Sequence, residues 1–287
     1  MLNTIFQAII QGLTEFLPVS SSGHLSLFQH FTGKSGEGAL MVSAVLHLGT
    51  LFAVFICFRK TIWELIKEFV FMIRDIFTKQ FHWKTMNGYR RMVIMIFIST
   101  ACLIPFYIFK DWFEGIAQDT SILAEGFCFL YTAAILLMSC KCTKKHKKPE
   151  DITVKDSVTV GFFQCIALLP GVSRSGSTIS AGLFSGFSRS LAVQYSFILG
   201  IPAILGSCLI EVKEAVTTDA APIGFGECFV GFIVAAVVGV CAIKMVNWLL
   251  KSDKFKYFAY YTLALGTLTI IVAIIEAIIG HPISLAG

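Results

Sequence analysis

Six apolar stretches, near residues 40–58, 92–109, 121–140, 190–210, 225–250 and 257–279, constrain this chain more than any other feature. Each is about long enough to cross roughly 30 Å of hydrocarbon as a helix. The expected fold is therefore all-α and integral to a membrane, with six transmembrane helices. Composition agrees: of 287 residues 56% are hydrophobic and 14% charged, at a mean hydropathy of +0.77, too apolar for an ordinary soluble domain. The net charge of +5 comes without a basic stripe interleaved with aromatics, which argues for a lipid bilayer as partner and against nucleic acid.

The first segment has no basic leader, is interrupted by Glu15 and lacks a small-residue cleavage site, so it is expected to stay in the mature protein. Most cysteines lie in apolar runs and read as reduced packing residues. A metal site at Cys140, Cys142 and His146 is the minor alternative.

Charge sets the orientation. Nineteen Lys and Arg residues fall in 59–91, 141–156, 189 and 244–256, and only Lys34, Lys110 and Lys213 fall on the other side. By the positive-inside tendency the rich side is cytoplasmic and both termini are outside. Apolar residues at Ile62, Leu65, Ile66, Phe69, Ile73, Ile76 and Phe77, with Glu64, Lys67, Glu68, Asp75 and Lys79 opposite, predict an amphipathic helix over 61–81 in the cytoplasmic interface. This layout leaves two charges unaccounted for, Glu15 and Arg174. Ionisable residues at membrane depth are costly and mark function by default.

An offset of 153 residues aligns their surroundings. Gln11 falls on Gln164, and Val19, Ser20, Ser22 and Gly23 fall on Val172, Ser173, Ser175 and Gly176, while Ser21 meets Arg174 and Glu15 meets Leu168. Two diverged copies are expected, residues 1–150 and 151–287. Each places one polar loop before three spans, and an odd number of spans inverts the second copy. Segments 2–17 and 158–170 are short for full spans and end in Pro, Gly and Ser-rich turns, so they are expected to form two re-entrant helix-loop-helix hairpins meeting near the midplane. Full crossing by either one would break the charge asymmetry.

Both loops suit an anion: glycines admit close backbone approach, serines donate hydroxyls, and each loop opens a helix whose N–H groups point back at it. Ser20, Ser22, Gly23, Ser173, Ser175, Gly176 and Thr178 are the expected phosphate-binding set, although one such loop alone merely caps a helix. Arg174 adds a planar fork suited to phosphate oxygens. Gln11 and Glu15 lie four apart on one helical face and can jointly hold a divalent cation such as Mg²⁺ or Ca²⁺. Ser21 offers a hydroxyl nucleophile and His24 a proton-transfer group, which together make a phosphoryl-transfer site. Which atom attacks phosphorus stays open. His47 is balanced between packing and function. A carrier moving a phosphate-headed lipid or small anion is the alternative, since inverted repeats also build transporters.

At Gln11-Gly12-Leu13-Thr14-Glu15-Phe16-Leu17-Pro18-Val19-Ser20-Ser21-Ser22-Gly23-His24 and Pro170-Gly171-Val172-Ser173-Arg174-Ser175-Gly176-Ser177-Thr178 the chain resembles the undecaprenyl-diphosphate phosphatase family, associated with bacitracin resistance. Similar text continues through Gly186-Phe187-Ser188-Arg189 and Phe197-Ile198-Leu199-Gly200-Ile201-Pro202. The resemblance implies hydrolysis of undecaprenyl diphosphate to the monophosphate in the bacterial cytoplasmic membrane, recycling the carrier for peptidoglycan synthesis from a site open to the outer face. It also implies a divalent cation, an inverted-repeat helical fold and pairing as a homodimer. The family's glutamate motif falls on Gln11 and Glu15, its serine and histidine on Ser21 and His24, and its phosphate-binding arginine on Arg174. Many members carry a second carboxylate where this chain has Gln11.

Overall fold

The computed structural model describes residues 1–32, 39–83, 86–107, 121–142, 146–217, 224–252 and 254–283. Lys34 and Lys110, counted above on the sparsely charged side, lie outside them. The described chain is helical throughout: α1 (Leu2–Thr14), α2 (Ser21–Thr32), α3 (Ala39–Phe77), α4 (Gly88–Ala101), α5 (Leu103–Tyr107), α6 (Leu123–Cys140), α7 (Val154–Ile166), α8 (Arg174–Phe184), α9 (Arg189–Thr217), α10 (Phe225–Lys251) and α11 (Lys256–Ile279). A 3-10 turn at Pro149–Asp151 leads into α7. Among the described residues the sole β pairing is one isolated bridge, between Lys147 and Phe187.

Six segments are long and apolar enough to cross a membrane: Met41–Phe77, Gly88–Phe106, Leu123–Cys140, Arg189–Thr217, Phe225–Lys251 and Lys256–Ile279. They coincide with the six apolar stretches. Large apolar side chains such as Leu209, Phe225 and Ile278 point outward, as a lipid solvent permits. The four remaining long helices are shorter. α1, α2, α7 and α8 contain 13, 12, 13 and 11 residues, which at about 1.5 Å per residue falls short of a roughly 30 Å core.

Local chemistry starts and stops these short helices. Thr153 and Asp156 form a reciprocal capping box at the start of α7. Ser20 and Ser173 cap α2 and α8, each hydroxyl accepting from the backbone N–H three residues on, Gly23 at 3.2 Å and Gly176 at 3.0 Å. The turns between helices use left-handed backbone, at Ser20 (φ 74°) in the first hairpin and at Gly171 (φ 89°) in the second.

Packing interleaves the two halves. α1 lies against α10, α7 against α4, α3 against both α9 and α10, and α6 against α11. Phe16, Ile179, Phe187, Tyr195 and Phe197 fill the main core, with Phe16 edge-on to Phe197 at 5.3 Å between ring centroids. Tyr195 Oη ties α9 to α4 through Ser99 Oγ at 2.8 Å and to α7 through Ser157 Oγ at 3.3 Å.

The amphipathic segment expected over 61–81 follows a kink in α3 at Phe58 (φ −110°, ψ 18°) and ends at Phe77. Of its charged residues, Glu64, Lys67 and Arg74 reach outward, while Glu68 and Asp75 turn toward the next helix. Arg90 on α4 reaches Glu68 at 2.9 Å and Asp75 at 2.8 Å, which draws both carboxylates inward, while Trp63, Val70, Ile76 and Phe77 are exposed.

Candidate functional site

Glu15 follows the last residue of α1, and its buried carboxylate is fully engaged. Oε1 accepts from Arg174 Nη2 of the second hairpin. Oε2 accepts from Ser21 Oγ at 2.8 Å and from Gln11 Nε2 at 3.0 Å. The two stray charges of the sequence thus meet across 159 positions of chain. Removing one member of such a buried pair leaves the other uncompensated, at a cost of about 3–5 kcal/mol. Space for the guanidinium comes from α9, because a methyl group on Gly200 would overlap Arg174.

The serines frame this pair. Ser20 Oγ lies 3.3 Å from Ser22 Oγ, and Ser173 Oγ lies 3.2 Å from Ser175 Oγ. Across the hairpins, Gly171 N–H donates to Ser22 Oγ at 3.2 Å, and Ser175 Oγ donates to the Leu17 carbonyl at 3.1 Å. Gly23 is required where the loops touch: a Cβ there would stand 3.0 Å from Gly171 Cα and 2.6 Å from Phe129 Cζ.

A cavity of about 600 Å³ opens beside the ion pair. Ser20, Ser21, Ser22, Ser173, Glu15 and Arg174 form its polar end, and Leu103, Ile104, Leu168, Pro202 and Ile204 line an apolar side. A polar end joined to an apolar wall suits a ligand with a charged head and a hydrocarbon tail. Both α2 and α8 begin at this cavity, which brings two helix N-termini to it.

Several expected site residues lie elsewhere. Gly23, Ser175, Gly176 and Thr178 do not line the cavity. They hold the loops in place, Thr178 through its bonds to the Arg174 carbonyl at 2.8 Å and Ser196 Oγ at 2.6 Å. Gln11 is buried behind Glu15, with its Oε1 unpartnered among the described residues. His24 is the largest departure from expectation. Its Nδ1 lies 2.6 Å from the Ser20 carbonyl, its Nε2 2.7 Å from Tyr261 Oη, and its ring stacks on Tyr261 outside the cavity. With the carbonyl fixing Nδ1 as the donor, Nε2 accepts from the tyrosine.

Two residues not singled out as site groups line it instead. His47 on α3 presents Nδ1 to Glu211 Oε2 of α9 at 3.2 Å, and Ser43 Oγ donates to Glu211 Oε1 at 2.9 Å. Glu15 and Arg174 are therefore not the only ionisable residues at this cavity. The signal in sequence was the spacing of Ser43 and His47, four apart on one face of an apolar span. Among the described residues no group of three or more His, Cys, Asp or Glu is placed to hold a metal ion, and this includes Cys140, Cys142 and His146.

Comparison with known proteins places similar chains in one family. Residues 4–268 match the family model described as bacitracin resistance protein BacA. The chain is 39% identical over 280 residues to an undecaprenyl-diphosphatase of Alkaliphilus metalliredigens (strain QYMF), covering 94% of this chain and 98% of the relative. It is 37% identical over 281 residues to an undecaprenyl-diphosphatase of Methanosphaera stadtmanae, covering 96% and 99% of the two chains. It is 37% identical over 269 residues to an undecaprenyl-diphosphatase of Halothermothrix orenii, covering 94% and 96%.

Proposed function

The chain belongs to the bacitracin resistance protein BacA family, and from that membership we propose that it hydrolyses undecaprenyl diphosphate to undecaprenyl phosphate and inorganic phosphate. The observation that carries the reading is the meeting of Arg174, Glu15 and Ser21 at the polar end of one cavity. The diphosphate lies against the two helix starts with its prenyl tail along the apolar wall. Its negative charge competes with Glu15 for Arg174, so the guanidinium passes from carboxylate to phosphate as substrate enters. Ser21 Oγ, already donating to Glu15 at 2.8 Å, attacks the terminal phosphorus and gives its proton to that carboxylate. The P–O bond to the bridging oxygen breaks, and undecaprenyl phosphate leaves with the electron pair. Water then hydrolyses the phosphoserine.

A divalent cation, Mg²⁺ or Ca²⁺, belongs to the same proposal. Glu15 offers one anionic oxygen, and Gln11 Oε1, buried and unpartnered, a second. Most of the shell would come from phosphate oxygens and water, as is common for Mg²⁺. When bound, such a cation neutralises part of the diphosphate charge.

The architecture we propose is an inverted repeat whose hairpins are re-entrant. Supporting it, the serine bonds of one loop recur in the other at the 153-residue offset, and α1 on α10 is matched by α7 on α4. The second hairpin's ends are joined where Lys147 N–H donates to the Gly186 carbonyl at 3.0 Å. The first hairpin's ends instead meet the start of α10, through Thr4 and Glu227, and the end of α11, through His30 and Glu276 at 2.8 Å. With the basic connections cytoplasmic, the first hairpin enters from outside and both termini are external. The site then faces the outer side of the cytoplasmic membrane. Pairing of two copies rests on the family resemblance and is tested by the oligomeric state in detergent.

The decisive experiment measures phosphate release from undecaprenyl diphosphate by the purified protein in detergent with Mg²⁺ or Ca²⁺. Wild type turns over and Arg174→Ala is slower by about 10³-fold or more, the scale for an arginine stabilising phosphoryl transfer. Wild type that releases no phosphate would sink the reading.

A further inference from the structure

We propose that His47, oriented by Glu211, is a proton-transfer residue of the cavity: its Nε2 accepts the proton of the water that ends the reaction. The proposal rests on the phosphatase reading and adds a residue to it. With His24 committed to Ser20 and Tyr261 outside the cavity, His47 is the one histidine among the described residues that lines it. Its Nδ1 faces the Glu211 carboxylate at 3.2 Å, and Ser43 Oγ holds the other oxygen of that carboxylate at 2.9 Å. A carboxylate on Nδ1 fixes the tautomer with the proton there, orients the ring and stabilises the imidazolium that forms when the second nitrogen takes a proton. Nε2 makes no hydrogen bond to any described residue, and the side chain is 18% exposed on the cavity wall. Glu15, Ser21 and Arg174 line the same cavity as this ring.

In the first step Ser21 loses its proton to Glu15 and the lipid phosphate departs. In the second, a water oxygen bonds to phosphorus, one of its protons passes to His47 Nε2 and the other stays on the phosphate. The P–Oγ bond of Ser21 breaks, and Oγ regains the proton held by Glu15. Inorganic phosphate leaves, and the imidazolium releases its proton to the medium. Glu15 serves the serine, and His47 serves the water.

The test uses the full chain in detergent with farnesyl diphosphate, following farnesyl phosphate in the first turnover and phosphate at steady state. His47→Ala lowers kcat by about 10²-fold or more, the scale of general acid-base catalysis, and lowers KM in parallel so that kcat/KM stays within about threefold of wild type, because only the second step is slowed. First-turnover release of farnesyl phosphate stays near the wild-type rate, and added imidazole restores part of the lost kcat. His47→Asn keeps a donor toward Glu211 and removes only the Nε2 function, so it reproduces the defect if the alanine variant is not monodisperse. Glu211→Gln lowers kcat by about 10–100-fold, as loss of an orienting partner does. Wild-type kcat in His47→Asn, or a first turnover slowed as much as the steady state, overturns the proposal while the phosphatase reading stands. Wild type inactive on undecaprenyl and farnesyl diphosphate alike overturns that reading itself.

Discussion

In the first hairpin Ser20 Oγ holds Gly23 N–H and faces Ser22 Oγ; in the second, 153 positions later, Ser173 Oγ holds Gly176 N–H and faces Ser175 Oγ. The hydroxyl scaffold is the same, and what hangs on it differs. Glu15, Ser21 and His24 of the first are matched by Leu168, Arg174 and Ser177 of the second. The first hairpin supplies the carboxylate and the attacking hydroxyl, and the second the cation that meets them. A scaffold of short serine bonds fixes two helix starts against one another, and single substitutions on it then divide the chemistry.

The largest contrast is between His24 and Ser177. His24 anchors the Ser20 carbonyl and Tyr261, whereas Ser177 Oγ is buried with no partner among the described residues. His24→Ala frees the loop that carries Ser21 and lowers kcat by about 10²-fold, the cost of a small misplacement of reacting groups. His24→Asn, whose amide can still donate to the Ser20 carbonyl, recovers most of that loss. Ser177→Ala is neutral or stabilises the protein by up to about 1 kcal/mol, because an unsatisfied buried hydroxyl is removed. A loss in His24→Asn as deep as in His24→Ala would mean that the ring does chemistry.

Next comes the pair Gly23 and Gly176. A methyl at Gly23 meets Phe129 Cζ at 2.6 Å and Gly171 Cα at 3.0 Å; at Gly176 its nearest neighbours are Ser173 Cβ and Oγ, both at 3.1 Å, and Pro18 Cβ at 3.3 Å. Gly23→Ala therefore forces the hairpins apart and costs about 2 kcal/mol, within the range for overpacking. Gly176→Ala sits mid-turn on a helix start, where alanine favours the helix, and costs less than half as much. Thermal unfolding of both variants in one detergent ranks them, and equal losses would mean that the hairpins do not press together at Gly23.

The parts of this arrangement that were legible in sequence are those set by local chemistry. Six spans followed from hydropathy, and the serine loops with Glu15 and Arg174 from motif and stray charge. What sequence could not supply depends on packing between distant segments. His24 meets Tyr261 across 237 positions and His47 meets Glu211 across 164, so nothing near either histidine tells which one turns toward the cavity. Glu211 stands one residue past the apolar stretch 190–210 and so was counted with the boundary charges. Gly200 looked like one more small residue in a span until Arg174 was seen to need its missing side chain. For the same reason nothing near Glu68 and Asp75 in sequence shows that both meet Arg90, which lies on another helix.

The finest contrast concerns backbone alone. Ser20 and Ser173 make equivalent bonds to a glycine N–H and to a second serine, yet Ser20 has φ 74° and Ser173 has φ −73°. Left-handed backbone at a residue with a Cβ costs about 1–2 kcal/mol. The second hairpin takes its left-handed turn at Gly171 instead, where that cost is absent. Ser20→Gly and Ser173→Gly lose the same cap and gain the same freedom in the unfolded chain, so both terms cancel when the variants are compared. What is left is the backbone conformation. Ser20→Gly should come out more stable than Ser173→Gly by about 1 kcal/mol, read as a difference between their thermal or denaturant midpoints. Equal stabilities would place no strain at Ser20, and the two turns would then differ in side chains alone.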